Sequence, residues 1–157
     1  MTLSIVIPAY NEERRLPSTL AAIQEYLRSR TLGETEVLVV DDGSQDGTAA
    51  LVERTRAGFP ELRLIRNPGN RGKGYSVRNG MTEARGEWRL MTDADLSAPI
   101  EELDRLLAEA KRSGADVVIG SRAIDRGMVS VHQPWGRETA GRFFNGVMRA
   151  LTGLPFL

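Results

Sequence analysis

Leu3-Ser4-Ile5-Val6-Ile7-Pro8-Ala9-Tyr10-Asn11-Glu12 opens the chain with an apolar, β-branched run that turns polar within a few residues. The run reads as a buried strand ended by Pro8. A strand apolar on both faces needs cover on both, which is the habit of parallel sheets. Four further runs, at residues 37–40, 62–65, 88–91 and 117–119, also read as strands. Helical spacing fills the gaps. Leu16, Leu20, Ile23, Tyr26 and Leu27 predict a helix over 16–30, with Pro17 suited to its first turn. Residues 48–57 follow, with Ser44, Asp46 or Thr48 as the cap. Helices are also expected over 75–84, 100–111 and 137–151, and a loop over 123–135. The helix at 100–111 has Glu101 and Glu102 at its start and Lys111 and Arg112 at its end, the charge order its dipole favours. Its apolar face is Leu103, Leu106, Leu107 and Ala110. Strand and helix alternate over short links. The expected fold is α/β, a sandwich around a mostly parallel sheet, as one domain over residues 1–157.

Composition narrows the function. The 157 residues carry 21 basic and 21 acidic side chains, so the formal net charge is zero. That balance speaks against a nucleic-acid partner held by phosphate contacts. Cys is absent, which excludes disulfides and thiolate metal sites and suits a cytoplasmic location. The start lacks the pattern of a signal peptide, and no run reaches the ~18 apolar residues of a membrane span. The chain ends on apolar Leu154-Pro155-Phe156-Leu157, so a continuing segment is expected.

In open α/β sheets ligands bind beyond the carboxyl ends of the strands. Each expected strand delivers a polar cluster there: Pro8 to Glu12, Asp41-Asp42-Gly43-Ser44, Arg66-Asn67 with Gly72-Lys73-Gly74, Asp93-Ala94-Asp95, and Ser121-Arg122. Asp93 and Asp95 carry the sharpest chemistry. Two carboxylates one residue apart can share a hard cation, Mg²⁺ or Mn²⁺, and leave positions open for phosphate oxygens. Taken alone such a pair is more often a solvated turn; the strand-end position and the other clusters reverse that balance. Asp41 and Asp42 fit a second metal pair, a turn with a helix cap, or an acceptor for a base edge or ribose hydroxyl. Tyr10 suits stacking on a nucleobase or plain partial burial. Lys73, in a glycine-rich turn, can approach phosphate, although the spacing is not that of a Walker A loop. Arg122 and Arg137 are candidate phosphate clamps or solvated surface residues. His132 reads as a loop residue.

The motifs together resemble the ordered signature of family-2 glycosyltransferases with the GT-A fold. They are Ile5 to Glu12, Val40-Asp41-Asp42-Gly43-Ser44, Asp93-Ala94-Asp95 and Gly120-Ser121-Arg122. Each is weak singly; four in order across the chain are specific. Arg71-Gly72-Lys73-Gly74, Val77-Arg78-Asn79-Gly80-Met81, Asp95-Leu96-Ser97 and Gln133-Pro134-Trp135-Gly136-Arg137-Glu138 resemble the polyprenyl-phosphate sugar synthases, above all the dolichyl-phosphate β-glucosyltransferase branch. Dolichyl-phosphate mannose synthases share most of these features. The resemblance implies that Pro8, Tyr10, Glu12 and Asp42 hold the nucleoside. It implies that Asp93, Ala94 and Asp95 hold the metal and diphosphate, with Asp93 and Asp95 catalytic. Ser97 would assist the metal. Arg122, also catalytic, and Arg137 would meet the acceptor phosphate.

The implied reaction is inverting transfer of a hexose, glucose from UDP-glucose, to a polyprenyl or dolichyl phosphate at the cytoplasmic face of a membrane. GDP-mannose is the alternative donor. In relatives a further segment follows the last expected helix and carries an acceptor-side acid. The chain stops about where that segment would begin, so the GT-A domain is expected to be C-terminally incomplete and donor binding to be better supported than turnover. The basic, apolar helix at 137–151 fits either a membrane surface or a core-packed helix. A sugar-1-phosphate nucleotidyltransferase would want a glycine-rich basic loop where Pro8 to Glu12 stands. A donor-binding module without turnover is the non-enzymatic reading.

Overall fold

The computed structural model describes residues 2–120. In chain order the elements are β1 (Leu3–Ala9), α1 (Leu16–Arg28), β2 (Thr35–Asp41), α2 (Thr48–Thr55) with a 3-10 turn (Arg56–Gly58), β3 (Leu62–Arg66), α3 (Lys73–Glu83), β4 (Trp88–Met91) and α4 (Glu102–Ser113). The chain divides into two compact units, Met1–Arg105 and Leu106–Leu157. The expected loop and helix at 123–151, with Ser121, Arg122 and Arg137, lie outside the described residues. No described helix is long and apolar enough to cross a membrane.

The strands form one sheet in the order β3-β2-β1-β4, parallel throughout. The first two crossovers step from β1 to β2 to β3, and the third returns past β1 to β4. Right-handed connections therefore put α1 and α2 on one face and α3 on the other. The α3 face buries Val6, Leu38, Val40 and Ala84, with Ile65 and Met81 packed against them. Ile5, Ile7, Val37 and Val39 alternate with these and are equally buried, as are Leu16, Leu20 and Ile23 of α1 and Val52 of α2. The expected two-sided cover is present over the central strands β1 and β2, while β4 alternates half-buried and exposed residues.

α3 lies close to the sheet because Gly80 has no side chain. A Cβ there would stand 2.4 Å from Val6 Cγ1 and 2.8 Å from Val40 Cγ2. Both valines are fully buried and stiff, so neither can yield easily. Gly80→Ala should therefore destabilise the fold by about 1–3 kcal/mol despite the better helix propensity of alanine, read as a lower urea midpoint.

At the opposite, amino end of the sheet, Glu36 ties three segments together. Its carboxylate accepts from Ser4 Oγ and Arg85 N, each at 2.6 Å, and from Arg63 Nη1. Burial pushes this carboxyl up, but the bonds from Ser4, Arg85 and Arg63 outweigh it and hold it below its usual range.

Two expectations need correction. The ladder of β1 does not stop at Pro8 but runs on to Ala9, with Pro8 opposite Val40. Val6 O accepts from Thr92 N on the β4 side at 3.1 Å, and Ala9 O accepts from Asp42 N on the β2 side at 2.9 Å. Backbone groups alternate sides along a strand, so Pro8 faces the β4 side. The β4 ladder has already ended, its last pair being Val6 with Met91. A missing N–H costs nothing there. Second, residues 117–119 are not a strand: they pair with no other strand among the described residues, and Val117 and Ile119 are 78% and 71% exposed. A β-branched run marks residues that suit a sheet, but only a hydrogen-bonded neighbour makes a strand.

Candidate functional site

The crossover direction reverses between β1 and β4, and adjoining loops part at such a point. A cleft of about 250 Å³ opens there, lined by Pro8, Ala9, Tyr10, Glu12, Asp42, Lys73, Ser76, Asp93, Ala94 and Asp95. All eight residues assigned to donor binding from sequence thus share one cleft. Ala9 and Ser76 are the additions: Ala9 stands between Pro8 and Tyr10, and Ser76 sits three residues after Lys73, on the same helix face.

Its floor is made of loops stitched to each other. After β1, Asn11 N donates to Ser44 Oγ at 2.9 Å and Glu12 N to Thr48 Oγ1 at 2.8 Å. In return Gln45 N donates to Asn11 Oδ1 at 2.9 Å and Gly47 N to Glu13 Oε2 at 3.0 Å. Asp46 Oδ1 accepts from Thr48 N at 3.0 Å and so satisfies the start of α2. Glu12 also grips Arg15 through two bonds of 2.6 and 2.7 Å. Gly43, at φ 75°, lets the third loop close in, since a Cβ there would lie 2.7 Å from Gly69 C.

Asp42 fastens that third loop. Its Oδ1 accepts from Asn67 Nδ2 at 2.7 Å and Arg71 N at 3.0 Å, and its Oδ2 from Gly72 N at 2.7 Å. Asn67 Nδ2 also reaches Ser76 Oγ at 2.9 Å, and Asn79 Nδ2 donates to Asn67 Oδ1 at 2.8 Å. Burial alone would raise the Asp42 carboxyl; the bonds from Asn67, Arg71, Gly72 and Ser76 keep it below its usual value. Asp41 Oδ1 accepts from Ser44 N at 3.0 Å. Asp41 thus anchors its own turn, whereas Asp42 holds the loop after β3 and lines the cleft as well. Among the described residues no group of three or more His, Cys, Asp or Glu side chains is poised for a metal.

The opposite wall is the turn after β4. Leu96 N donates to Asp93 O at 3.1 Å, closing the turn with Leu96 at φ 45°. That left-handed conformation is costly for leucine, by about 1–3 kcal/mol. Packing and hydrogen bonds from outside the turn hold it. Ala94 is buried, and its carbonyl accepts from Thr19 Oγ1 of α1 at 2.7 Å. Asp95 Oδ1 accepts from Ser97 Oγ at 2.8 Å and Ser97 N at 3.1 Å. Those bonds, led by the hydroxyl, overcome partial burial and, with Arg15 nearby, hold Asp95 below the usual carboxylate range. Ser97 orients Asp95 rather than lining the cleft itself. Asp93 is met by Lys73, whose Nζ lies 2.6 Å from its Oδ1.

Sequence reasoning missed the roles of Thr19, Asn67 and Asn79. Each acts through a partner distant in sequence, which no local pattern signals.

The family model described as Glycosyl transferase family 2 matches residues 4–153. The chain is 35% identical over 147 residues to the dolichyl-phosphate beta-glucosyltransferase ALG5D of Trichomonas vaginalis, covering 88% of this chain and 45% of that protein. It is 40% identical over 134 residues to the dolichyl-phosphate beta-glucosyltransferase of Drosophila melanogaster, covering 78% and 41%. It therefore spans less than half the length of these curated relatives. Among solved structures it is similar to the mannosyltransferase PcManGT from Pyrobaculum calidifontis in complex with GDP-Man and Mn²⁺. The TM-score is 0.57 at 33% identity, over 75% of this chain and 33% of that one. The match runs along nearly the whole sequence and takes in every segment that walls the cleft: the chain belongs to glycosyl transferase family 2.

Proposed function

We propose that the cleft binds a nucleoside-diphosphate sugar together with Mg²⁺ or Mn²⁺. We further propose that the protein moves a hexose, glucose from UDP-glucose, to a dolichyl or polyprenyl phosphate with inversion, at the cytoplasmic face of a membrane. The chief support is one cleft shared by Tyr10, Asp42, Asp93 and Asp95 at the reversal of the sheet. The named activity of the two relatives supports the acceptor and the sugar.

The residues suit a hard divalent cation. The donor set is two carboxylates without sulfur or imidazole, and Asp93 Oδ1 already takes a cationic partner in Lys73. Asp93 and Asp95 would hold the ion, which when bound offsets the charge building on the leaving nucleoside diphosphate. Tyr10, 41% exposed at the cleft, offers a ring face to the base. The first turn of α3 has no acidic residue and no side-chain cap, so its amides and Lys73 favour an anion. Arg122 and Arg137 would orient the acceptor phosphate, an anion that is nucleophilic without base assistance.

The test is titration with UDP-glucose, GDP-mannose and UDP, with and without Mn²⁺, followed by transfer to a prenyl phosphate by the full-length protein. Metal-dependent binding of UDP-glucose is expected. Preference for GDP-mannose would favour the second donor, a reading that the GDP-Man complex of the Pyrobaculum calidifontis structure supports. Binding with no transfer by the full-length protein would mark a donor-binding module. Absence of nucleotide binding would end the proposal.

A further inference from the structure

Lys73 is the first residue of α3, and Asp93 stands in the turn after β4. Their contact at 2.6 Å therefore bridges two walls of the cleft that both side chains line. The pair is accessible, at 60% and 43% side-chain exposure, so it is weak enough to exchange. An ammonium and a divalent cation compete for the same carboxylate oxygen, because both are held there by charge. The same ammonium attracts a diphosphate. One side chain thus opposes one ligand and favours the other.

Resting on the nucleotide-sugar reading above, we propose that Lys73 is an exchangeable counter-ion that makes cation and diphosphate binding depend on each other. Without nucleotide, Lys73 holds Asp93 and lowers the affinity for a divalent cation. A diphosphate draws Lys73 to its own oxygens and releases Asp93 to the cation. Linkage makes the effect reciprocal: the cation, by displacing Lys73, frees it for the diphosphate. The protein would then gather little metal unless nucleotide arrives.

Binding of Mn²⁺ alone, of UDP alone, and of each in the presence of the other separates the possibilities, by calorimetry or by the Mn²⁺ spin-resonance signal. Lys73→Met should bind Mn²⁺ alone about 3- to 10-fold tighter than the unaltered protein and bind UDP with Mn²⁺ more weakly. The factor by which UDP raises Mn²⁺ affinity should shrink accordingly. Lys73→Arg keeps the charge and should preserve that factor. A merely structural Lys73 would weaken both ligands together, so opposite signs are the signature. If Lys73→Met binds Mn²⁺ no tighter while the unaltered protein binds UDP with Mn²⁺, the counter-ion role is overturned and the nucleotide site stands. If the unaltered protein binds neither, the site reading fails and this inference with it.

Discussion

Asp95→Asn should reduce metal-dependent UDP affinity by at least about 100-fold while leaving metal-free UDP binding and the urea midpoint nearly unchanged. Changes in the groups behind metal ligands already cost 10–100-fold, and loss of a ligand's charge costs more. The amide is chosen because its Oδ1 can still accept from Ser97 Oγ and Ser97 N, so the turn keeps its shape. Asp95 is exposed, and such positions contribute little to stability. The loss would then report the missing charge alone. Calorimetry with UDP at fixed Mn²⁺ checks it. Near-normal affinity in the variant would exclude Asp95 as a metal ligand, and Asp95→Ala should agree with it.

Asp42→Ala should cost about 2–4 kcal/mol of stability, because Arg71 N, Gly72 N and Asn67 Nδ2 would lose their acceptor together. The effect carries a pH signature. The folded Asp42 carboxyl lies below its usual value, so the unfolded chain takes up the proton first as pH falls. Its contribution is full above the unfolded value of about 4 and is lost as pH drops through the lower folded one. Glu36 acts in the same direction. The urea midpoint should therefore decline below about pH 4, less steeply in Asp42→Ala than in the unaltered protein. Equal stability of the two at pH 6 would mean that the loop is held by other contacts. Unchanged stability with lost UDP binding would instead assign the carboxylate directly to the nucleotide.

The four strands of the sheet could be read because each is a short, mainly apolar run, with the inner two buried on both faces, and the helices because their spacing is regular. Strand order could not, since nothing local in Leu62–Arg66 or Trp88–Met91 says which neighbour each takes. The same gap explains residues 117–119, whose composition suits a sheet but whose pairing is a matter of the whole fold. In the cleft, Asp93, Asp95, Tyr10 and Lys73 were legible because strand ends in an α/β sheet are where ligands meet protein. The second task of Asp42 was not legible. A strand-end carboxylate looks alike whether its oxygens meet ribose or the amides of a loop thirty residues on. Thr19 gave no signal for the opposite reason. It reads as an ordinary helix residue, and only the approach of Ala94 O gives its hydroxyl a purpose.

Pro8 sets how far β1 and β4 can zip together. Had that position carried an amide hydrogen, the next rung could form to Thr92 O, drawing the acidic turn that follows into the sheet and narrowing the gap. A pyrrolidine ring removes the rung and leaves the two chains free to diverge. The mouth of the crevice is in this sense held open by the absence of a single hydrogen atom.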